Sequence, residues 1–143
     1  VFFGATATAS SFDLQHSASA TGPWSDEGVP GDEAVVAITA DGLEALAPDM
    51  TVEVPFYLCN VGTTAGTVTA ITVPAIGDPL GTTAGAELTA TVTSPAVGAA
   101  LPSDPTCAAP VEGTLTVTTT ADFPSEAQGE SGDITFTVTG TSD

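Results

Sequence analysis

Lysine and arginine are absent from this chain. Against eighteen aspartates and glutamates it has a single histidine, His16, and a formal net charge of −18 over 143 residues. Without Lys or Arg no side chain grips a phosphate backbone or an anionic lipid surface, so nucleic acid and membrane-surface partners are disfavoured on charge alone. The same absence removes ordinary salt bridges, Schiff-base chemistry and any Lys–Asn crosslink. Only protons, metal ions, backbone N–H groups and solvent counterions remain to neutralise the carboxylates.

Other absences narrow the class further. No apolar run approaches the ~18 residues that argue for a membrane-spanning helix, and no basic segment opens the chain. Val1 therefore reads as a processed, mature N-terminus of a secreted, extracellular or cell-surface protein. There is no GxSxG elbow and no HExxH. No nucleophile can be matched with a base, so an enzyme is not expected. Asn60, the only asparagine, is followed by Val61 and Gly62, which leaves no N-glycan sequon.

Cysteine is scarce but even in number. Cys59 and Cys107 stand far apart with no CxxC and no companion His, and a metal site would need more ligands at shorter spacing. In an exported chain one disulfide is the natural reading, with two buried free thiols as the alternative. Closing that loop is worth roughly 4 kcal/mol in the chain-entropy model.

What is plentiful is apolar and small. Charged residues make up 13 % of the chain and AVILMFWYC 42 %, the composition of a folding chain rather than a disordered one. The length suits one domain with a modest core. Thr alternates with Val, Ile, Leu or Ala over residues 35–39, 51–58, 67–73, 87–93, 114–118 and 133–139, the period of two that a half-buried strand needs. Gly, Pro, Asp and Ser clusters separate these runs. With residues 11–17 and 2–9 the count is about eight strands. The nearest approach to a helical period is one turn at Leu43 to Leu46. An all-β sandwich or barrel follows. Residues 22–31 and 96–110 read as long loops, the second pinned by Cys107. Pro55 cannot donate to a central ladder, which places it at an edge or bulge. An edge strand ending at Cys59-Asn60-Val61-Gly62 would then start a hairpin into residues 67–73.

Few residues invite chemistry. Alternation puts Phe12, Leu14 and His16 on one face, so His16 is read as a partly buried strand histidine. Asp26, Glu27, Asp32 and Glu33 flank the turn at residues 28–31, and oxygen-rich loops of this kind hold Ca²⁺. No EF-hand spacing is present, and a solvated acidic loop is the competing reading. No other cofactor is implied. Trp24, the only tryptophan, is assigned to anchoring this loop, with a subunit contact or a sugar platform as alternatives.

The first nine residues carry the most information. Phe3, Ala5, Ala7 and Ala9 alternate with Thr6 and Thr8, giving a strand with a small-residue apolar face beginning at Val1 and Phe2. Two adjacent Phe side chains call for a cover, either from the same domain or from the next subunit. In the second case residues 1–10 would complete a neighbour's sheet edge by strand addition, and a head-to-tail contact that does not close generates a filament. Residues 11–143 would then form the sandwich domain.

These stretches resemble a known family. Val1-Phe2-Phe3 followed by Phe12-Asp13-Leu14 is similar to the opening of TasA and camelysin proteins. The segment from Leu46 to Thr51, the strand end Phe56-Tyr57-Leu58-Cys59-Asn60-Val61-Gly62-Thr63, and the closing Glu126-Ala127-Gln128-Gly129 before Ile134-Thr135-Phe136-Thr137-Val138 follow that family's order and spacing. The resemblance implies a jelly-roll subunit of extracellular biofilm-matrix fibres, with related archaeal pili assembling by donor-strand exchange. Members of that family are rich in Lys, and this chain has none. The expected function is a structural filament subunit whose partners are identical copies. The alternative is an Ig-like binding or adhesin module, Ca²⁺-stabilised, with the first strand paired internally.

Overall fold

The computed structural model describes residues 12–25, 33–40, 46–130 and 132–143, with the backbone alone over 33–40. Nine strands occupy these residues: β1 (Leu14–Ser17), β2 (Glu33–Ala40), β3 (Thr51–Asn60), β4 (Gly66–Ile71), β5 (Ala75–Ile76), β6 (Leu88–Ser94), β7 (Ala100–Leu101), β8 (Val111–Thr119) and β9 (Ile134–Ser142). Antiparallel pairing sorts them into two sheets. One has the order β1-β3-β8-β6. The other has the order β2-β9-β4-β7, with β5 also paired to β9.

Alternation explains why these strands stack face to face. Gly113, Leu115, Val117 and Thr119 are buried along β8, and Ile134, Phe136, Val138 and Gly140 along β9, with more exposed residues between them. Side chains of a strand point to opposite faces in turn. Each sheet therefore has one apolar face to bury, and an all-β sandwich results. The inward residues form one cluster that includes Phe12, Leu14, Phe56, Leu58, Leu115 and Phe136. Phe56 and Phe136 join the two sheets, with ring centroids 5.2 Å apart and planes at 64°, the edge-to-face geometry that the ring quadrupoles favour.

Glycine makes room for two of these rings. A Cβ on Gly113 would lie 2.3 Å from the Phe56 ring, and Cβ atoms on Gly66 and Gly140 would lie 2.4 and 2.6 Å from that of Phe12. Threonine dresses the outside. Hydroxyl pairs link Thr69 to Thr141 at 3.2 Å, Thr93 to Thr116 at 3.2 Å and Thr137 to Thr72 at 3.0 Å, each pair joining neighbouring strand segments.

Two expectations need correction. No hairpin joins residues 51–60 to residues 67–73, because β3 and β4 lie in different sheets. Nor does β3 lie at an edge, since it runs between β1 and β8. Pro55 is nevertheless tolerated: it pairs with Thr114 on β8, while β1 stops where Ser17 faces Tyr57. At Pro55 the strand therefore has a neighbour on one side only, among the described residues. The one described α-helix, α1 (Leu80–Ala84), is five residues long. The turn expected at residues 43–46 lies largely outside the described residues. Residues 96–110 are a loop tied at several points, containing β7 and a parallel bridge from Ser103 to Asn60.

Candidate functional site

The exposed apolar surface gathers at one edge of the sandwich. Among the described residues β6 closes the first sheet and pairs only with β8. Its outward residues Thr89, Thr91 and Thr93 are exposed, and its inward residues Ala90 and Val92 are only half-buried. Facing them is the segment 71–74 that follows β4, and Pro95, Ala96 and Val97 complete a groove of about 350 Å³. The two large apolar side chains left most exposed in the described chain, Val73 at 86 % and Val97 at 62 %, both belong to it. No residue lining it is charged.

Local structure opens this groove. β4 shifts register between Val68 and Ala70, and Pro74 follows soon after its end. β6 shifts register between Val92 and Ser94 and stops before Pro95. Pairing resumes after each shift, at Ala70 with Thr139 and at Ser94 with Thr114, so the prolines that follow, rather than the bulges, mark where each strand leaves its ladder. The signal in the sequence is modest: Val73-Pro74 and Pro95-Ala96-Val97 place valines beside prolines immediately beyond strand ends. Residues 71–73 carry a strand pattern and 96–110 a loop composition, and neither pattern shows the surface that they make together.

A second constellation lies where β3 crosses to the other sheet. Cys59 and Cys107 are joined in a disulfide, with Cα atoms 5.7 Å apart. Beside it Asn60 is 2 % exposed. Its Oδ1 accepts from the backbone N–H of Asp13 at 3.1 Å and of Gly62 at 3.0 Å, and its Nδ2 donates to the carbonyls of Thr64 at 2.7 Å and Leu101 at 3.1 Å. One amide thus ties together the approach to β1, the connection to β4 and the β7 strand. Asp104 holds the loop before Cys107, accepting from the N–H groups of Ala108 at 3.0 Å and Ala109 at 2.9 Å. The corner is built from satisfied polar groups and carries no reactive thiol.

The remaining candidates are dispersed. His16 is half-buried on β1, and its main chain pairs with Ser25 through hydrogen bonds of 3.0 and 2.8 Å. Those bonds bring the start of the 22–31 loop back onto β1. Trp24 is half-buried, and its ring lies over Gly22 of the same loop, where a Cβ would meet it at 2.9 Å. Tyr57 donates to the Glu112 carboxylate at 3.1 Å, and that hydrogen bond, with burial and the nearby negative charge, holds its phenol above the ordinary value of 10.0. Of the expected calcium ligands, Asp26, Glu27 and Asp32 lie outside the described residues, and Glu33 opens β2 in a segment described by its backbone alone. Among the described residues no group of three or more His, Cys, Asp or Glu side chains is placed to hold a metal ion. The expected donor residues Val1, Phe2, Phe3, Ala5, Ala7 and Ala9 also lie outside the described residues. No helix among the described residues is long and apolar enough to cross a membrane.

Comparison with protein-family models, with curated proteins and with solved structures finds no match to this chain.

Proposed function

We propose that this protein is the structural subunit of an extracellular filament, built head to tail by strands that each copy lends to the next. The observation that carries the reading is the open sandwich edge. Among the described residues β6 has a partner on one side only, and beside it an uncharged apolar groove reaches the surface. An unpaired edge next to a hydrophobic slot is what strand addition requires: main-chain hydrogen bonds supply affinity, and alternate side chains fill the slot. Residues 2–9, apolar on alternate positions and headed by two phenylalanines, are a segment of the matching type. The likeness to the TasA and camelysin family supports the same reading, including its jelly-roll winding. A disulfide suits export to an oxidising compartment.

The test is deletion of residues 1–9. The shortened chain keeps the cooperative melting of the sandwich and forms no fibres by negative-stain electron microscopy, while the full chain forms them. Fibres of ordinary length from the shortened chain would sink the donor-strand reading. A full chain that stays monomeric under every salt condition, with unchanged melting, would favour the binding-module alternative.

A further inference from the structure

We propose that Asp78–Pro79 is a self-cleavage site of the folded protein: in acid the Asp78 carboxyl attacks its own peptide carbonyl and releases Pro79, leaving a two-chain molecule that keeps the fold. Of the eighteen acidic residues only Asp78 and Asp104 precede a proline. Asp–Pro bonds are open to this reaction for two chemical reasons. Attack by the carboxyl on its own carbonyl closes a small ring, which makes the step intramolecular, and the tertiary proline nitrogen departs as a basic secondary amine. The carboxyl oxygen bonds to the Asp78 carbonyl carbon, the carbon–nitrogen bond to Pro79 breaks, and the carboxyl proton passes to the nitrogen. Water then opens the cyclic anhydride to two carboxyl groups. The chain gains one water, and nothing is oxidised or reduced.

The two bonds differ in how their carboxyl groups are held. That of Asp104 is engaged at both oxygens, Oδ1 accepting from the N–H of Ala108 at 3.0 Å and Oδ2 from that of Ala109 at 2.9 Å. Its turn is fixed further by the Asp104 N–H, which donates to the Asn60 carbonyl at 2.7 Å, and by the disulfide at Cys107. To reach its own carbonyl this side chain must give up both charge-assisted bonds. The Cys107 N–H donates to the Asp104 carbonyl at 3.0 Å and would polarise it, which does not help an attacker engaged elsewhere. At Asp78, among the described residues, both hydrogen bonds of the carboxyl fall on one oxygen: Oδ1 accepts from the Thr82 N–H at 3.0 Å and from the Thr82 hydroxyl. Oδ2 is left to attack. Asp78 and Pro79 are both exposed, so water reaches the anhydride. The charged residues on the segments packed around α1 are Glu87, Glu126, Asp133, whose carbonyl accepts from the Gly77 N–H at 2.7 Å, and Glu130, whose carboxylate accepts from the Thr83 hydroxyl at 3.3 Å. All are acids, so no cation among them engages the Asp78 carboxyl.

Topology keeps the cut molecule whole. Residues 1–78 carry β1 to β5, and residues 79–143 carry α1 and β6 to β9. The ladders β3 with β8, β2 with β9, β4 with β9, β4 with β7 and β5 with β9 all cross the cut. In the second sheet, order β2-β9-β4-β7, the strands belong alternately to one piece and the other. Neither piece can leave without breaking both sheets. The cut also falls between Cys59 and Cys107, so the disulfide joins the two pieces covalently. Cleavage thus opens the closed ring of chain between the cysteines while the sandwich stays assembled.

The experiment incubates the full chain at neutral pH and at about pH 4, within the ordinary carboxyl range, in ~1 M NaCl to screen self-repulsion. Intact masses are followed with and without a reducing agent, and circular dichroism follows the fold. In acid the unreduced mass is expected to rise by one water with the β signal and melting transition retained, and reduction should then release fragments 1–78 and 79–143. Cleavage at Asp78–Pro79 should run about tenfold or more ahead of that at Asp104–Pro105 in the folded protein, and the two rates should converge in urea, where the hydrogen bonds that separate them are gone. Asp78→Asn keeps an acceptor for Thr82 and is expected to melt like the parent and to lose the cut at this bond. Equal or faster cleavage at Asp104–Pro105 in the folded protein would overturn the proposal. So would a chain that is cut only once it has unfolded, pieces that separate before the disulfide is reduced, or normal cleavage of the Asp78→Asn variant.

Discussion

At the scale of single residues, Asn60 does the most with the least. A buried amide satisfies two donors and two acceptors drawn from three separate backbone segments. Asn60→Asp keeps the shape and the acceptor oxygen but turns a second oxygen onto the carbonyls of Thr64 and Leu101. Near neutral pH this is expected to lower the unfolding free energy by about 2–4 kcal/mol, because a buried acceptor facing acceptors loses its hydrogen bonds and brings in charge. Lowering the pH should restore part of the loss, since a protonated carboxyl donates one hydrogen bond. Urea unfolding at two pH values checks both, and equal losses at the two would contradict the account. None of this was legible in the sequence, where Asn60-Val61-Gly62 looks like a hairpin turn. The local residue types of a turn and of a sheet-crossing corner are the same; what differs is the partner of the side chain, and Leu101 is 41 residues away.

Among elements, the strands were the readable part and their assignment to sheets was not. Thr/Val alternation is strong in β3, β6 and β9 because each has one face on the core and one in water. Alternation states which residues share a face and is silent on which strand lies alongside, so the crossing from β3 to β4 was invisible. β5 and β7 are two residues each, too short to show a period. The fit between elements can be tested at Gly113, on β8 beneath Phe56. Gly113→Ala forces a methyl into the ring and is expected to cost about 1–3 kcal/mol by overpacking. Combining it with Phe56→Leu should cost less than the sum of the two changes, a coupling that a double-mutant cycle on denaturation midpoints would report. Strict additivity would mean that the ring yields freely.

For the molecule as a whole, charge placement matters more than charge count. Of the acidic residues only Glu33, Glu53 and Glu112 fall within described strands, which leaves the sheet faces to threonine and the carboxylates mostly in connections. Self-repulsion is then borne largely by loops. Stability should rise by about 1–2 kcal/mol, roughly 4–8 °C in melting temperature, between ~0.01 and ~1 M NaCl, where the screening length falls from ~30 to ~3 Å. Fibre formation should strengthen over the same range and in mild acid. Assembly that weakens as salt is added would contradict an interface of backbone pairing and apolar insertion. The candidate groove itself was not legible: it is made by residues 71–74 and 90–97, which only the sheet stacking brings together.

The disulfide has a mechanical meaning. Residues 71–74 and 90–97 both lie between Cys59 and Cys107, so the walls of the groove belong to a covalently closed ring of chain. A pull applied between the two ends of the polypeptide passes through the sulfur link and bypasses the ring, withholding roughly 160 Å of contour length per molecule. Under load the ring would stay closed until the link is reduced, and the give would come from the residues outside it.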